Sequence, residues 1–329
     1  MARIVRFHRT GGPEALQIDT LDVPAPARGE VRINVKALGL NRAESMFRSG
    51  QYIENPVCPS KLGYEAAGTI DDVGPGVDGL APGDAVSTIP SFSQGQYGVY
   101  GDLALVPASA VVKHPASLSW VEAAAIWMQY LTAYGGLVDI AQLSTDDFVL
   151  IPAASSSVGL AAIQIANLVG ATPIALTRNS DKRDALLRFG ARHVVATAEQ
   201  DLVASVQAIT GPRGPRVAFD PVGGPSFAKL AAVVSREGIL ILYGALSPEP
   251  TPLPLFDVLG KSQTVRGYIL FELTSNPARL ERAKQFVIDG LAAGKLKPVI
   301  AKTFALDDIV AAHRYLEANT QIGKIVVTV

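Results

Sequence analysis

The chain has 329 residues, a formal net charge of −1 at pH 7, and 18% charged against 48% hydrophobic residues. Those proportions fit a globular protein and argue against disorder, and the length points to two domains. With no long basic run, nothing marks a nucleic-acid or anionic-membrane surface.

In chain order, residues 1–120 read as β-rich, with short β-branched runs between Gly/Pro turns. "EVRINVKALGL" alternates well, and "GYEAAGTIDDVG", "GDAVSTI" and "DLALVPASAVVKHP" follow in the same style. The character changes near Trp120. "SWVEAAAIWMQYLTAYGGLV" reads as one helix, with Ser119 as N-cap and Glu122 in capping-box position. Strands and helices then alternate: "FVLIP", "VGLAAIQIANLVG", "TPIALT", "SDKRDALLRFGA", "HVVAT", "DLVASVQAIT", "VAFDPV", "SFAKLAAVV" and "GILILYG". This order predicts an α/β fold with a doubly wound parallel sheet. After Val265 the pattern lapses into a long helix, "NPARLERAKQFVIDGLAAG", and a closing strand, "KIVVTV". The expected organisation is a first domain over 1–120, a doubly wound domain over 121–264, and a return over 265–329 that makes the first domain discontinuous.

Phe148 to Thr177 carries no charge, and its length alone would allow a membrane helix. Pro152, three serines, Gly159, Gly170 and Pro173 punctuate it, so a buried strand, turn, helix and second strand fit better. Cys58 is the only cysteine, which suits a reducing cytoplasm, and "MARIVRFHRTGG" lacks the apolar block of a secretory signal.

The turn "IPAASSSVGLAAIQIA" joins a strand to a helix with small residues, as dinucleotide-binding turns do. In that fingerprint one glycine makes the turn, a second lets the backbone approach a pyrophosphate, and a third allows close helix packing. Here Ala154, Ser156 and Gly159 take those positions. Ser156 adds a hydroxyl, but its Cβ requires that the turn avoid positive φ there. Ser156, Ser157, Val158 and Gly159 are the expected phosphate contacts; an ordinary packing turn is the plainer reading. No acid sits at the tip of the next strand. Thr177 and Arg178 stand there, with Lys182 and Arg183 beyond. Cations at this point suit the 2′-phosphate of NADPH, although solvated surface charges would look the same.

With these residues noted, the whole chain resembles the zinc-free quinone oxidoreductase branch of the medium-chain dehydrogenase/reductase superfamily. "GLNRAESMFRSGQY", "PSKLGYEAAGTI" and "GVDGLAPGDAV" look like its G-x-N-x-x-D/E…R-x-G-x-Y, P-x-x-x-G-x-E-x-x-G and G-V…G-D-x-V segments, and "LTAYGGL", "FDPVGG", "LILYGALS" and "IGKIVVTV" fall in matching order. The serine loop departs from the branch's A-x-x-G-G-V-G. The resemblance implies a Rossmann domain beside a discontinuous GroES-like catalytic domain, a homodimer, and hydride transfer from NADPH to a quinone or enone. The same fold admits an enoyl-thioester reductase or a non-catalytic NADPH-binding sensor.

Where the zinc branch has its ligands, this chain has Asn41, Tyr64 and Met128; Glu65 survives, and His8, His114, His193 and His313 match none of the positions. No catalytic metal is expected. By resemblance Tyr52 is the candidate acid, or a tyrosine lining the cleft. Asn41 is a second donor or a turn cap, and Tyr64 a pocket wall. Gln129 and Thr132 are placed toward the nicotinamide side and Tyr243 and Gly244 toward the adenosine. Asp220 and Val222 lie at a strand end, where Asp220 is a ligand contact or a cap. Lys324 is a distal cofactor contact or a surface charge.

Overall fold

The computed structural model describes all 329 residues, which divide into two compact units, one of Met1–Met128 with Pro298–Val329 and one of Gln129–Lys297. The unit of Met1–Met128 and Pro298–Val329 is built on a seven-stranded sheet. Its centre is Glu30–Leu40, which pairs antiparallel with Lys324–Thr328 on one side and Glu65–Val73 on the other. Along Glu30–Leu40, Val31, Ile33 and Val35 alternate into the core; from Ala37 onward most positions are buried on both faces. The cover on that stretch includes the short helix Trp120–Ala123, whose Ser119–Glu122 capping box forms as expected.

Gly39 marks a point of close approach. A Cβ there would stand 2.1 Å from the Ala124 carbonyl oxygen, 2.9 Å from Lys324 Cε and 3.2 Å from Glu65 Oε2. The helix predicted as one piece after Ser119 is therefore interrupted. It stops at Ala123, resumes as Trp127–Tyr134, and loosens into a π-helical turn, Gly135–Ile140. The break falls where Ala123, Ala124 and Ala125 pack against Ala37, Ala67 and Val326.

The unit of Gln129–Lys297 carries a six-stranded parallel sheet in the order His193–Ala196, Thr172–Thr177, Phe148–Ile151, Val217–Asp220, Ile239–Leu242, Thr264–Gly267. Chain order reverses direction between Phe148–Ile151 and Val217–Asp220, the switch point where such sheets bind ligands beyond the strands' carboxyl ends. The uncharged run from Phe148 to Thr177 is a strand, a turn, the helix Ser157–Leu168 and a strand. No helix is long and apolar enough to cross a membrane.

The division of the chain differs from the expected one at 120 and 264. Thr264–Gly267 is a sixth sheet strand, and the helix Pro277–Ala292 belongs to the same unit. The strand escapes a reading based on apolar runs because it is an edge, largely exposed, with Arg266 and Gly267 in it.

Candidate active site and cofactor cradle

In the unit of Met1–Met128 and Pro298–Val329, four polar side chains meet in the interior: Asn41, Glu44, Glu65 and Lys324. Lys324 opens the last strand and Glu65 opens Glu65–Val73; both flank the central strand at Gly39. Because Gly39 has no side chain, the Lys324 ammonium reaches across to the Glu65 carboxylate and forms an ion pair, while also donating to Asn41 Oδ1 at 2.5 Å. The other Glu65 oxygen accepts the Met128 peptide N–H at 2.8 Å.

Asn41 ends the central strand and begins the helix Arg42–Arg48. Its peptide N–H donates to Glu44 Oε2 at 2.7 Å, and its Nδ2 donates to Glu65 Oε2 at 3.0 Å and Glu44 Oε1 at 3.3 Å. Both ends of the amide are thus committed inside the protein, and the expectation of Asn41 as a substrate donor is corrected to a cap within a charged network. Lys324 is corrected likewise. It is 1% exposed and paired, so it is neither a surface charge nor an open cofactor contact.

Glu44 is the residue that the sequence reading left without a role. Its helix N3 position after Asn41 is a capping-box signature, the signal that could have found it. It is fully buried, and burial pushes its carboxyl up to about 7, with Glu65 adding to the rise against the pull of Lys324 and Asn41. Two carboxylates here share one ammonium, and Glu65 holds it. Tyr64 sits above this network with its ring buried, its N–H on Glu44 Oε1 at 3.2 Å and its carbonyl accepting from Thr88 Oγ1 at 2.8 Å. Tyr52 lies half-buried on the loop after the helix, and burial pushes its phenol up to about 12. It is a neutral hydrogen-bond donor at pH 7.

In the unit of Gln129–Lys297, Ser156 is the N-cap of Ser157–Leu168 and is extended, with φ −69°. The positive φ of the turn falls on Ala153, at 48°. The Ser156 hydroxyl oxygen accepts the Gly159 N–H at 3.0 Å, so it serves the helix first and keeps its own proton to donate. Ser157 and Val158 are first-turn residues, whose N–H groups lack intrahelical acceptors. Gly159 keeps the packing role, since a Cβ would meet the Ala154 oxygen at 2.6 Å. From the short 3-10 helix Ser180–Lys182 after the next strand, Lys182 Nζ donates to Ser155 Oγ at 3.1 Å, joining the two segments. Burial and the neighbouring Arg178 depress the Lys182 amine. Two cations thus lie close together beside the turn, with Thr177 buried at the strand end.

At the fourth strand Asp220 folds its own turn, accepting from the Val222 and Gly223 N–H groups at 2.8 and 3.1 Å. It closes the turn after its strand and does not cap the helix Ser226–Val233, whose N-cap position is Pro225. Tyr243 stacks on Phe219 at 3.9 Å between ring centroids, and Gly244 lies exposed over Pro221. Gln129 and Thr132 are buried on the helix Trp127–Tyr134.

Residues 27–116 match the model of the alcohol dehydrogenase GroES-like domain, and residues 157–288 that of the zinc-binding dehydrogenase family. Quinone oxidoreductase 1 of Escherichia coli is 31% identical over 98% of both chains, and the 2-haloacrylate reductase of a Burkholderia species is 30% identical over 99% of this chain and 98% of its own. The crystal structure of E. coli quinone oxidoreductase complexed with NADPH superposes with a TM-score of 0.93, at 31% identity, covering 100% of both chains. The residues of the present chain do not fit zinc. Asn41, Tyr64 and Met128 offer an amide, a phenol and a thioether, and the one carboxylate among them, Glu65, is held by an ammonium that would repel a cation.

Removing the Lys324 charge tests the network. Lys324→Met strands the Glu65 carboxylate and is expected to cost about 3–5 kcal/mol in urea unfolding, with most of the loss regained in Lys324→Met/Glu65→Gln. A second outcome concerns Glu44. A carboxyl raised in the folded state stabilises it below the unfolded value and loses that contribution as pH rises to the folded one. The stability difference between the wild type and Glu44→Gln should therefore fall as pH rises from about 4.5 to about 7, and level off above, measured by urea titration across that window.

Proposed function

We propose a reaction from one premise: the chain belongs to the medium-chain dehydrogenase/reductase superfamily, in its quinone oxidoreductase branch. It is an NADPH-dependent reductase of quinones and α,β-unsaturated carbonyl compounds, the range spanned by the names of its relatives. The observation that carries the cofactor half of this reading is the Lys182–Ser155 contact, with Arg178 beside it, at the turn that opens the helix Ser157–Leu168.

When bound, NADPH supplies the hydride; the protein supplies orientation and a path for the proton. The Ser157 and Val158 N–H groups and the Ser156 hydroxyl hold the pyrophosphate at the helix N-terminus. Thr177, Arg178 and Lys182 receive the 2′-phosphate; Val222, Tyr243 and Gly244 line the adenosine side, and Gln129 and Thr132 the nicotinamide side. Hydride addition leaves an electron pair on the acceptor's carbonyl oxygen. Tyr52, neutral at pH 7, donates its hydroxyl proton there. This removes the need for a Lewis acid, and we assign no metal to the reaction. Lys324 and Asn41 act from beneath, keeping the Glu65 charge compensated.

The same reading includes a homodimer. The edge strand Thr264–Gly267 bonds to a neighbour on one side only, and Leu255, Leu259 and Phe256, the last 89% exposed, project from the helix Leu255–Gly260. Exposed apolar groups beside an open strand edge favour pairing with a second copy. A cytoplasmic setting suits the free, exposed Cys58.

Intrinsic-fluorescence titration tests the cofactor assignment: NADPH should bind at least about tenfold tighter than NADH, and Arg178→Ala/Lys182→Ala should erase the difference by weakening NADPH alone, a loss on the order of 1.4 kcal/mol or more. Equal binding of both nucleotides by the wild type would sink the 2′-phosphate contact. For assembly, sedimentation velocity should give a dimer for the wild type and a monomer for Phe256→Asp/Leu259→Asp.

A further inference from the structure

Tyr52 rides on the loop that runs from the helix Arg42–Arg48 to Ser60, and the backbone of that loop is held at its two ends. The Gln51 N–H donates to the Met46 carbonyl at 2.8 Å, and Ser60 exchanges backbone hydrogen bonds with Phe7 at 2.9 and 3.0 Å. Residues 52–59 make no backbone–backbone hydrogen bond. That stretch is fastened by a side chain, Glu54, whose Oε1 accepts the Ser93 hydroxyl at 2.5 Å and the Gly95 N–H at 3.3 Å. The anchor is firm. Ser93 caps the short helix Gln94–Tyr97 by accepting the Gln96 N–H at 3.2 Å, which leaves its own proton for Glu54. Gln94 is buried with its side-chain oxygen on the Gly63 N–H at 3.3 Å, and Lys61 Nζ donates to the Gln96 carbonyl at 3.1 Å. Gly95 leaves room for the carboxylate, since a Cβ there would stand 3.0 Å from Glu54 Oε1. Packing adds little to this hold: Glu54, Asn55 and Val57 line a cleft of about 170 Å³ together with Ser60, Ser93 and Gln96.

Resting on the proposed function, we propose that Glu54 is a positioning residue for the Tyr52 donor, tying its loop to the helix Gln94–Tyr97. Tyr52 stands one residue beyond the Gln51 tie and two before the Glu54 tie. Two residues of chain reach at most about 7 Å, so ties on both sides confine the Tyr52 backbone to a small region. A donor must come within one hydrogen bond of the oxygen it serves, and a half-exposed phenol on an untied loop would meet that condition only part of the time. With the tie in place the loop is ordered before the acceptor arrives, and the ordering is not required during the step. Glu54 gives no proton itself; it acts on Tyr52 through the backbone.

Kinetics of the full chain test this. Glu54→Ala should lower kcat about tenfold with the KM for NADPH unchanged, and Glu54→Gln, whose amide oxygen accepts the same two hydrogen bonds, should recover most of that loss. In a Tyr52→Phe background, itself about a hundredfold slower, Glu54→Ala should bring no further loss. A second readout needs no turnover. In the cofactor-free protein labelled with 3-fluorotyrosine, the Tyr52 fluorine resonance, assigned by its loss in Tyr52→Phe, should narrow in Glu54→Ala as the loop is released and keep its width in Glu54→Gln. An unchanged resonance in Glu54→Ala, or the same fractional loss of kcat in both backgrounds, overturns the role of Glu54 and leaves Tyr52 as donor. A Tyr52→Phe enzyme with full kcat overturns the donor reading itself, whatever the resonance does.

Discussion

The ion pair between Lys324 and Glu65 is the constraint around which the unit of Met1–Met128 and Pro298–Val329 is arranged. A buried ion pair adds little net stability, because desolvating two charges consumes most of their attraction. Its effect is on specificity of arrangement. Glu65 must find both the ammonium and the Met128 N–H, and Asn41 must turn its carbonyl end to Lys324 and its amino end to the two carboxylates. Gly39 makes this possible by carrying no side chain where Ala124, Lys324 and Glu65 close in on the central strand. Strand register, helix start and side-chain orientation are thereby tied to one point.

The cofactor cradle follows another logic. The requirement for a left-handed residue has not disappeared from the serine-rich turn; it has moved to Ala153, where a non-glycine residue bears it. Ser156 is free to be extended and to cap the helix. In the resulting turn the Gly159 N–H is taken up by the Ser156 hydroxyl oxygen, and the Lys182 ammonium is brought in through Ser155. The turn thus sets side-chain charge beside a helix N-terminus, both of which favour an anion.

Much of this was legible in the sequence wherever local chemistry decides structure. The strand "EVRINVKALGL" is seen at its expected limits, Glu30–Leu40, because alternation, a flanking glycine and the following cap all agree. The serine turn and its helix were readable for the same reason. What escaped depended on distant partners. Lys324 looks like any lysine beside a terminal strand until Glu65 and Asn41 are known to lie next to it, 259 and 283 residues away in the chain. Asn41 was correctly suspected of capping, but its commitment to three carboxylate contacts belongs to the tertiary structure. The edge strand Thr264–Gly267 and the break after Ala123 were hidden because exposure erased the apolar signal in one and packing against Ala37 overrode helix propensity in the other.

The late position of Lys324 has a consequence for biogenesis. The segment 129–297 is continuous and carries its own complete sheet, so it can collapse as soon as it has been made. Glu44, on the helix Arg42–Arg48, and Glu65, at the start of its strand, are synthesised earlier still, well before the lysine that pairs with Glu65. The Glu65 carboxylate therefore gains its ammonium only once the chain has been extended through residue 324.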